Sequence, residues 1–136
     1  MSGVIELADL LARISPDLDP QEYVFCSINP QDLAGLELSP RCRFDEQEGV
    51  TVILTRQEAE SNALHYTCPS RLITLRVHSS LHAVGFLAAI CTLLASHGIS
   101  VNVVSACFHD HLFVPIDRAG EAMELLKTLP SRGQQG

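Results

Sequence analysis

The strongest constraint on this chain is an internal repeat. A strand-like run Tyr23–Ile28 is followed by a short helical stretch Gln31–Leu36, two strand-like runs Arg41–Asp45 and Val50–Leu54, and a helical stretch Arg56–Leu64. Leu72–His78, His82–His97, Ile99–Phe108, His111–Pro115 and Arg118–Leu129 repeat that β-α-β-β-α order. Both hairpins leave through a capping residue and an arginine, Thr55-Arg56 and Asp117-Arg118. A unit of about 60 residues is marginal alone, which favours two copies built as one body. Each copy would lay two helices on one face of an antiparallel sheet, giving a ferredoxin-like α+β fold. We therefore expect one module over residues 1–68, led by an extra helix, and a second over residues 69–136.

Local signals support the element order. Ile5, Leu7, Leu10, Leu11 and Ile14 form one stripe of a helix Val4–Ile14, which Pro16 ends. Gly49 suits a positive φ in the hairpin loop Glu46–Gly49. Thr55-Arg56-Gln57-Glu58 is a capping box, and His65–Cys68 reads as a brief extended piece. In Leu72–His78, Ile73, Leu75 and Val77 alternate with Thr74, Arg76 and His78, as in a strand with one buried face. Ser79-Ser80 offers an N-cap to the apolar helix His82–His97, and Gly98 suits its C′ position. His109-Asp110 reads as the turn of the second hairpin, Asp117 as the cap of the last helix, and Ser131–Gly136 as a frayed tail.

Composition excludes several function classes. Nine basic against sixteen acidic residues give a net charge of -7. Nucleic acid and anionic membrane surfaces are bound through clustered Lys and Arg, so neither is an expected partner. The longest apolar run, Ala83–Ala95, falls short of the roughly 18 residues of a membrane span. Met1-Ser2-Gly3 has no basic opening of a secretion signal, and five scattered cysteines suit reduced thiols. The expected setting is cytoplasmic.

The loop before the apolar helix is the leading binding candidate. Amides of Leu81, His82 and Ala83 would lack intrahelical acceptors at a helix start, where the dipole favours a carboxylate. Gly85 would let another backbone or a ligand approach, and His78 stands at the loop mouth. The same residues also have simpler uses: Ser80 as a cap, Gly85 as a packing contact, His78 as a surface strand end. Cys107, His109 and His111 share one side of a continuous strand and are zinc-competent types. Asp110 at the expected turn breaks that alternation, so no metal site is expected. Pairs such as Cys107 with His109, or Ser79 with His78, lack an orienting third group and an oxyanion turn. No Gly-x-Gly-x-x-Gly or phosphate-binding Gly-rich loop is present. Neither a catalytic residue nor a cofactor is expected.

Arg71–Lys127 resembles an ACT domain, the small regulatory module that binds amino acids. The residues that carry the likeness are the strand Leu72–His78, the loop Ser79-Ser80-Leu81, Ala83-Val84-Gly85-Phe86-Leu87, and Gly98-Ile99-Ser100-Val101-Asn102. Phe108–Pro115, Glu22–Cys26 and Glu48–Leu54 extend it to an uncharacterised bacterial family of tandem ACT modules, covering Glu22 to Leu129. The resemblance implies an amino-acid or related metabolite ligand held by His78, Ser79, Ser80, Leu81, Val84, Gly85 and Phe86. Val101, Asn102 and Val103 would receive its amino group. It implies a sensor whose output passes through a homodimer or a regulated protein partner. The alternative is an interaction module that forms homo-oligomers without a ligand.

Overall fold

The structure, a computed structural model, describes residues 3–77 and 84–129. Its elements are α1 (Gly3–Ala12), β1 (Pro16–Ile28), α2 (Pro30–Ala34), β2 (Cys42–Glu46), β3 (Gly49–Thr55) and α3 (Arg56–Ser61). Then come β4 (Thr67–Leu75), α4 (Phe86–Ser96), β5 (Asn102–Ser105), β6 (Asp110–Pro115), a 3-10 turn Ile116–Arg118 and α5 (Ala119–Leu126). Two compact units result: a central unit Pro20–Arg71, and a terminal unit of Met1–Asp19 with Leu72–Gly136. The division falls inside β1 and inside β4.

In the central unit β3 pairs antiparallel with both β1 and β2, in registers that include Val24↔Leu54 and Phe44↔Thr51. Period-two alternation sends Val24, Cys26 and Ile28 of β1, with Val50, Val52 and Leu54 of β3, to one face. Ala59 of α3 and the half-buried Leu33, Leu36, Leu38, Leu64 and Tyr66 cover them. Both short helices are fixed at their starts. The Asn29 side chain accepts from the Asp32 amide at 2.8 Å, and Thr55 Oγ1 accepts from the Glu58 amide at 3.2 Å. Only half of the capping box forms, because the Glu58 carboxylate instead accepts from the Ser39 amide at 2.8 Å. The hairpin glycine, Gly49, has φ +153, and a Cβ there would stand 2.9 Å from Ser27 Oγ.

The terminal unit buries a larger core. Leu10 and Ile14, Ile73 and Leu75 of β4, Leu112 and Val114 of β6, Phe86, Ile90, Leu93 and Leu94 of α4, and Ala122 and Leu126 of α5 share one cluster. Its strands run β4-β6-β5, with β5 and β6 antiparallel from Asn102↔Phe113 to Ser105↔Asp110. No strand follows α5 among the described residues. The start of the chain fills that place: the Arg76 amide donates to the Ser15 carbonyl at 2.7 Å, and its guanidinium holds Asp17 at 3.0 Å. Pro16–Asp19 thus lies beside the end of β4 as the fourth strand of a ferredoxin-like unit. In packing, α1 goes with the C-terminal helices and not with the strands that follow it. A stripe of leucines shows that a helix has a partner, but not which half of the chain supplies it.

Several boundaries differ from the sequence expectation. β4 is one strand from Thr67, running through Pro69 after the left-handed Cys68, φ 57. Its alternation does not mark an exposed face, since Leu72 and Thr74 are buried along with Ile73 and Leu75. β5 stops at Ser105, and the turn is Ala106–His109, closed by the Ala106 amide on the His109 carbonyl at 3.0 Å. The turn therefore ends at His109 instead of being the pair His109-Asp110, and Asp110 opens β6. Asp117 does not cap α5 but lies in the 3-10 turn before it. No helix of the described residues is long and apolar enough to cross a membrane.

Candidate functional site

The first turn of α4 is assembled differently from the expectation. The helix begins at Phe86, and its N-cap is Gly85 with φ 87, ψ -12, a left-handed conformation. The first intrahelical bond runs from the Ala89 amide to the Gly85 carbonyl at 3.0 Å. The amides ahead of that bond are those of Phe86, Leu87 and Ala88. The N-cap, Gly85, has no side chain with which to bond the first turn, and the expected cap Ser80 lies outside the described residues. No acidic residue stands in the first turn, so the positive end of the helix dipole meets no carboxylate of its own. A Cβ on Gly85 would touch Leu7 Cδ2 at 3.4 Å.

The predicted site residues divide into three groups. His78, Ser79, Ser80 and Leu81 lie outside the described residues, as do His82 and Ala83. Val84 is 79% exposed beside the helix start. Phe86 is 2% exposed and its ring belongs to the core, so only its backbone amide is available to a ligand. Val101 and Val103 pack against that core from the β5 side. The Val103↔Leu112 register puts their side chains on the helix-bearing face, while Asn102, opposite Phe113, projects to the other face. What β5 offers near the helix is therefore its backbone: it is the last strand of the order, and an edge strand presents outward N–H and C=O groups.

Two histidines of the second hairpin make contacts within the fold, while Cys107 is an exposed free thiol. The His109 and His111 rings meet edge to face at 6.5 Å, and His111 Nδ1 is 2.9 Å from Thr74 Oγ1. No group of three metal-ligating side chains occurs among the described residues. Burial pushes the Cys26 thiol above its ordinary value, and burial with the nearby Asp110 charge does the same to Cys91. A raised thiol is a poor nucleophile at neutral pH.

One polar site escaped sequence reading. Arg56, just inside α3, donates from Nη1 to Glu22 at 3.1 Å and from Nε to the Tyr66 hydroxyl at 3.1 Å. Tyr66 in turn donates to Glu60 at 2.9 Å. Glu22, Arg56 and Glu60, with Gln21, Thr55 and Gln57, line an open cleft of about 410 Å³. The Tyr66 hydroxyl and then the Glu22 carboxylate hold the guanidinium more firmly protonated. Glu22 and Arg56 are 34 positions apart, and only the β1–β3 pairing brings them together.

Comparison with known proteins decides the family. Two ACT-domain profiles match in tandem, one over residues 2–71 and the other over residues 67–128. The chain belongs to the ACT-domain family. Modules of this family commonly bind amino acids in regulatory roles. A Vibrio cholerae protein of unknown function, described as a possible transport protein, is 40% identical with a TM-score of 0.83. That match covers 95% of this chain and 99% of the other. An Agrobacterium tumefaciens protein matches with a TM-score of 0.67 at 15% identity, over 87% of this chain and 90% of its own. The regulatory subunit of aspartate kinase from Thermus thermophilus, in its ligand-free form, matches with a TM-score of 0.67 at 12% identity. Here 84% of this chain and 95% of that one are covered. At such identities the last two likenesses establish the ACT fold alone. No curated protein matches.

Proposed function

We propose that this ACT protein is a non-catalytic regulatory module that binds an amino acid or a closely related metabolite and reports its level. The ligand carboxylate is received at the start of α4, by the amides of Phe86, Leu87 and Ala88 and by the preceding residues His78, Ser79, Ser80 and Leu81. Val84 and Gly85 bound the entrance. The backbone of Val101, Asn102 and Val103 on the β5 edge takes the amino group. The observation that carries this reading is the α4 N-terminus, capped by a left-handed glycine with neither a side-chain cap nor an acidic residue in its first turn. Backbone amides and a helix dipole together favour an anionic group there.

Output passes through a homodimer or a regulated protein partner, because a ligand shifts an arrangement only by its differential affinity for the two states. The alternative reading, a ligand-free interaction module, keeps the self-association and drops the sensing. A thermal-shift screen over the twenty amino acids separates them. A ligand at about 100 times its Kd adds roughly 2.7 kcal/mol, which raises the midpoint by several degrees. Val84→Asp places a carboxylate at the entrance, at a position too exposed for the fold to depend on it. We expect one or two amino acids to raise the midpoint of the natural chain and not that of Val84→Asp. A flat response to all twenty contradicts the sensor and leaves the interaction module.

A further inference from the structure

β2 ends the strand order with β3 as its one neighbour, so its outer edge carries backbone groups without a ladder partner among the described residues. In the middle of this strand Phe44 is 68% exposed. Its register opposite Thr51 turns the ring away from the core, whereas Arg43 and Asp45 stand opposite the core residues Val52 and Val50. A large apolar ring centred on an open edge is a hazard unless something covers it. The residues on either side say what that is, because Arg43 precedes Phe44 and Asp45 follows it.

We propose that β2 is a self-association surface, on which two copies of the chain pair antiparallel, edge to edge, about a two-fold axis through Phe44. That register sets the two Phe44 rings against one another. It also sets Arg43 of each copy opposite Asp45 of the other, so two opposite-charge pairs form reciprocally, as an isologous interface requires. Neighbouring registers lose this match. A centre on Arg43 puts arginine opposite arginine, and a centre on Asp45 puts aspartate opposite aspartate.

The ladder agrees with the same centre. The two-residue loop Gln47-Glu48 is closed by the pair Glu46↔Gly49, which in such hairpins exchanges hydrogen bonds. Antiparallel bonding alternates, so the N–H and C=O groups of Arg43 and Asp45 face away from β3. They are the groups that a second β2 centred on Phe44 meets. Within one chain Arg43 Nε already lies 2.9 Å from Asp45 Oδ1, with both side chains more than half exposed. Re-pairing across the axis therefore breaks nothing buried. Five residues of strand bury far less than a standard stable interface, so the dimer is weak and depends on concentration.

This surface rests on the self-association in the proposed function and not on its ligand. Sedimentation equilibrium of the full chain, from micromolar to sub-millimolar protein, is the test. The natural chain should rise with concentration towards twice 14.8 kDa. Arg43→Asp and Asp45→Arg should each stay monomeric, since each makes every facing pair like-charged. An equimolar mixture of the two variants should dimerise again, because every pair is then opposite in charge. Circular dichroism should find both variants folded as the natural chain is, as expected for substitutions at exposed positions. A natural chain that stays monomeric throughout overturns both this surface and self-association. Single variants that still dimerise overturn this surface while leaving self-association elsewhere, and a mixture that stays monomeric overturns the register.

Discussion

Gly85 and Gly98 stand at opposite ends of α4, and both have positive φ, 87 and 72. Gly98 closes the helix: its amide bonds the Ala95 carbonyl at 2.9 Å, and the Ile99 amide bonds the Leu94 carbonyl at 3.0 Å. That pattern is the Schellman motif, in which a left-handed residue satisfies the last carbonyls. A Cβ at Gly98 meets nothing within 4 Å, so Gly98→Ala costs only the backbone conformation, about 1 kcal/mol. Gly120 lies inside α5 with equally open space, and there Gly120→Ala should stabilise by about 0.5–1 kcal/mol. Urea unfolding of the two variants should therefore give midpoints that move in opposite directions. The thiols make a second residue-scale prediction. Cys26 and Cys91 have folded pKa values above those of the unfolded chain, so the folded state keeps protons that the unfolded chain releases. Their contribution is complete below the ordinary thiol pKa and is lost as pH rises from there through the folded values. Cys26→Ser and Cys91→Ser double substitution should flatten the alkaline limb of a stability-against-pH curve. An unchanged limb would mean that other groups set it.

Among the elements, α3 was the most legible in the sequence and α4 the least faithful to it. Thr55 caps α3 as its local pattern requires, because a capping residue needs only its own next three positions. Thr55→Ala should cost about 1 kcal/mol in thermal unfolding, and Thr55→Ser should recover most of it. The start of α4 was misplaced because the apolar run through Ala83 and Val84 continues the helical pattern. Nothing local to Gly85 distinguishes a packing glycine from a left-handed cap. The turn after β5 was misplaced for a similar reason, since Ala106–Phe108 carries on the apolar content of the strand. The cap of the last helix was misread more instructively. Arg118, beside the expected cap, donates to the His97 and Gly98 carbonyls at 2.8 and 3.3 Å and so terminates α4 from 20 residues away. Long-range uses of this kind, like Arg56 on Glu22, leave no spacing to read.

At the scale of the molecule the repeat order identified the ferredoxin-like units, but not how the chain distributes itself between them. The terminal unit takes α1 and Pro16–Asp19 from the beginning of the chain. A fragment of residues 69–136 therefore lacks its fourth strand and the core contacts of Leu10 and Ile14. We expect that fragment to show poor amide dispersion and no cooperative melt, and a fragment that melts cooperatively would contradict the assignment.

The helix start that the sequence pattern put at His82 stands at Phe86, and the amides ahead of the first intrahelical bond are those of Phe86–Ala88. Amide chemical-shift mapping of the labelled full chain, titrated with each amino acid, reads the proposed ligand contacts residue by residue. Saturable shifts are expected at Gly85–Ala88 and Val101–Val103 with one or a few amino acids. No saturable shift with any of them, or shifts gathered instead around Arg56 and Glu22, would contradict those contacts.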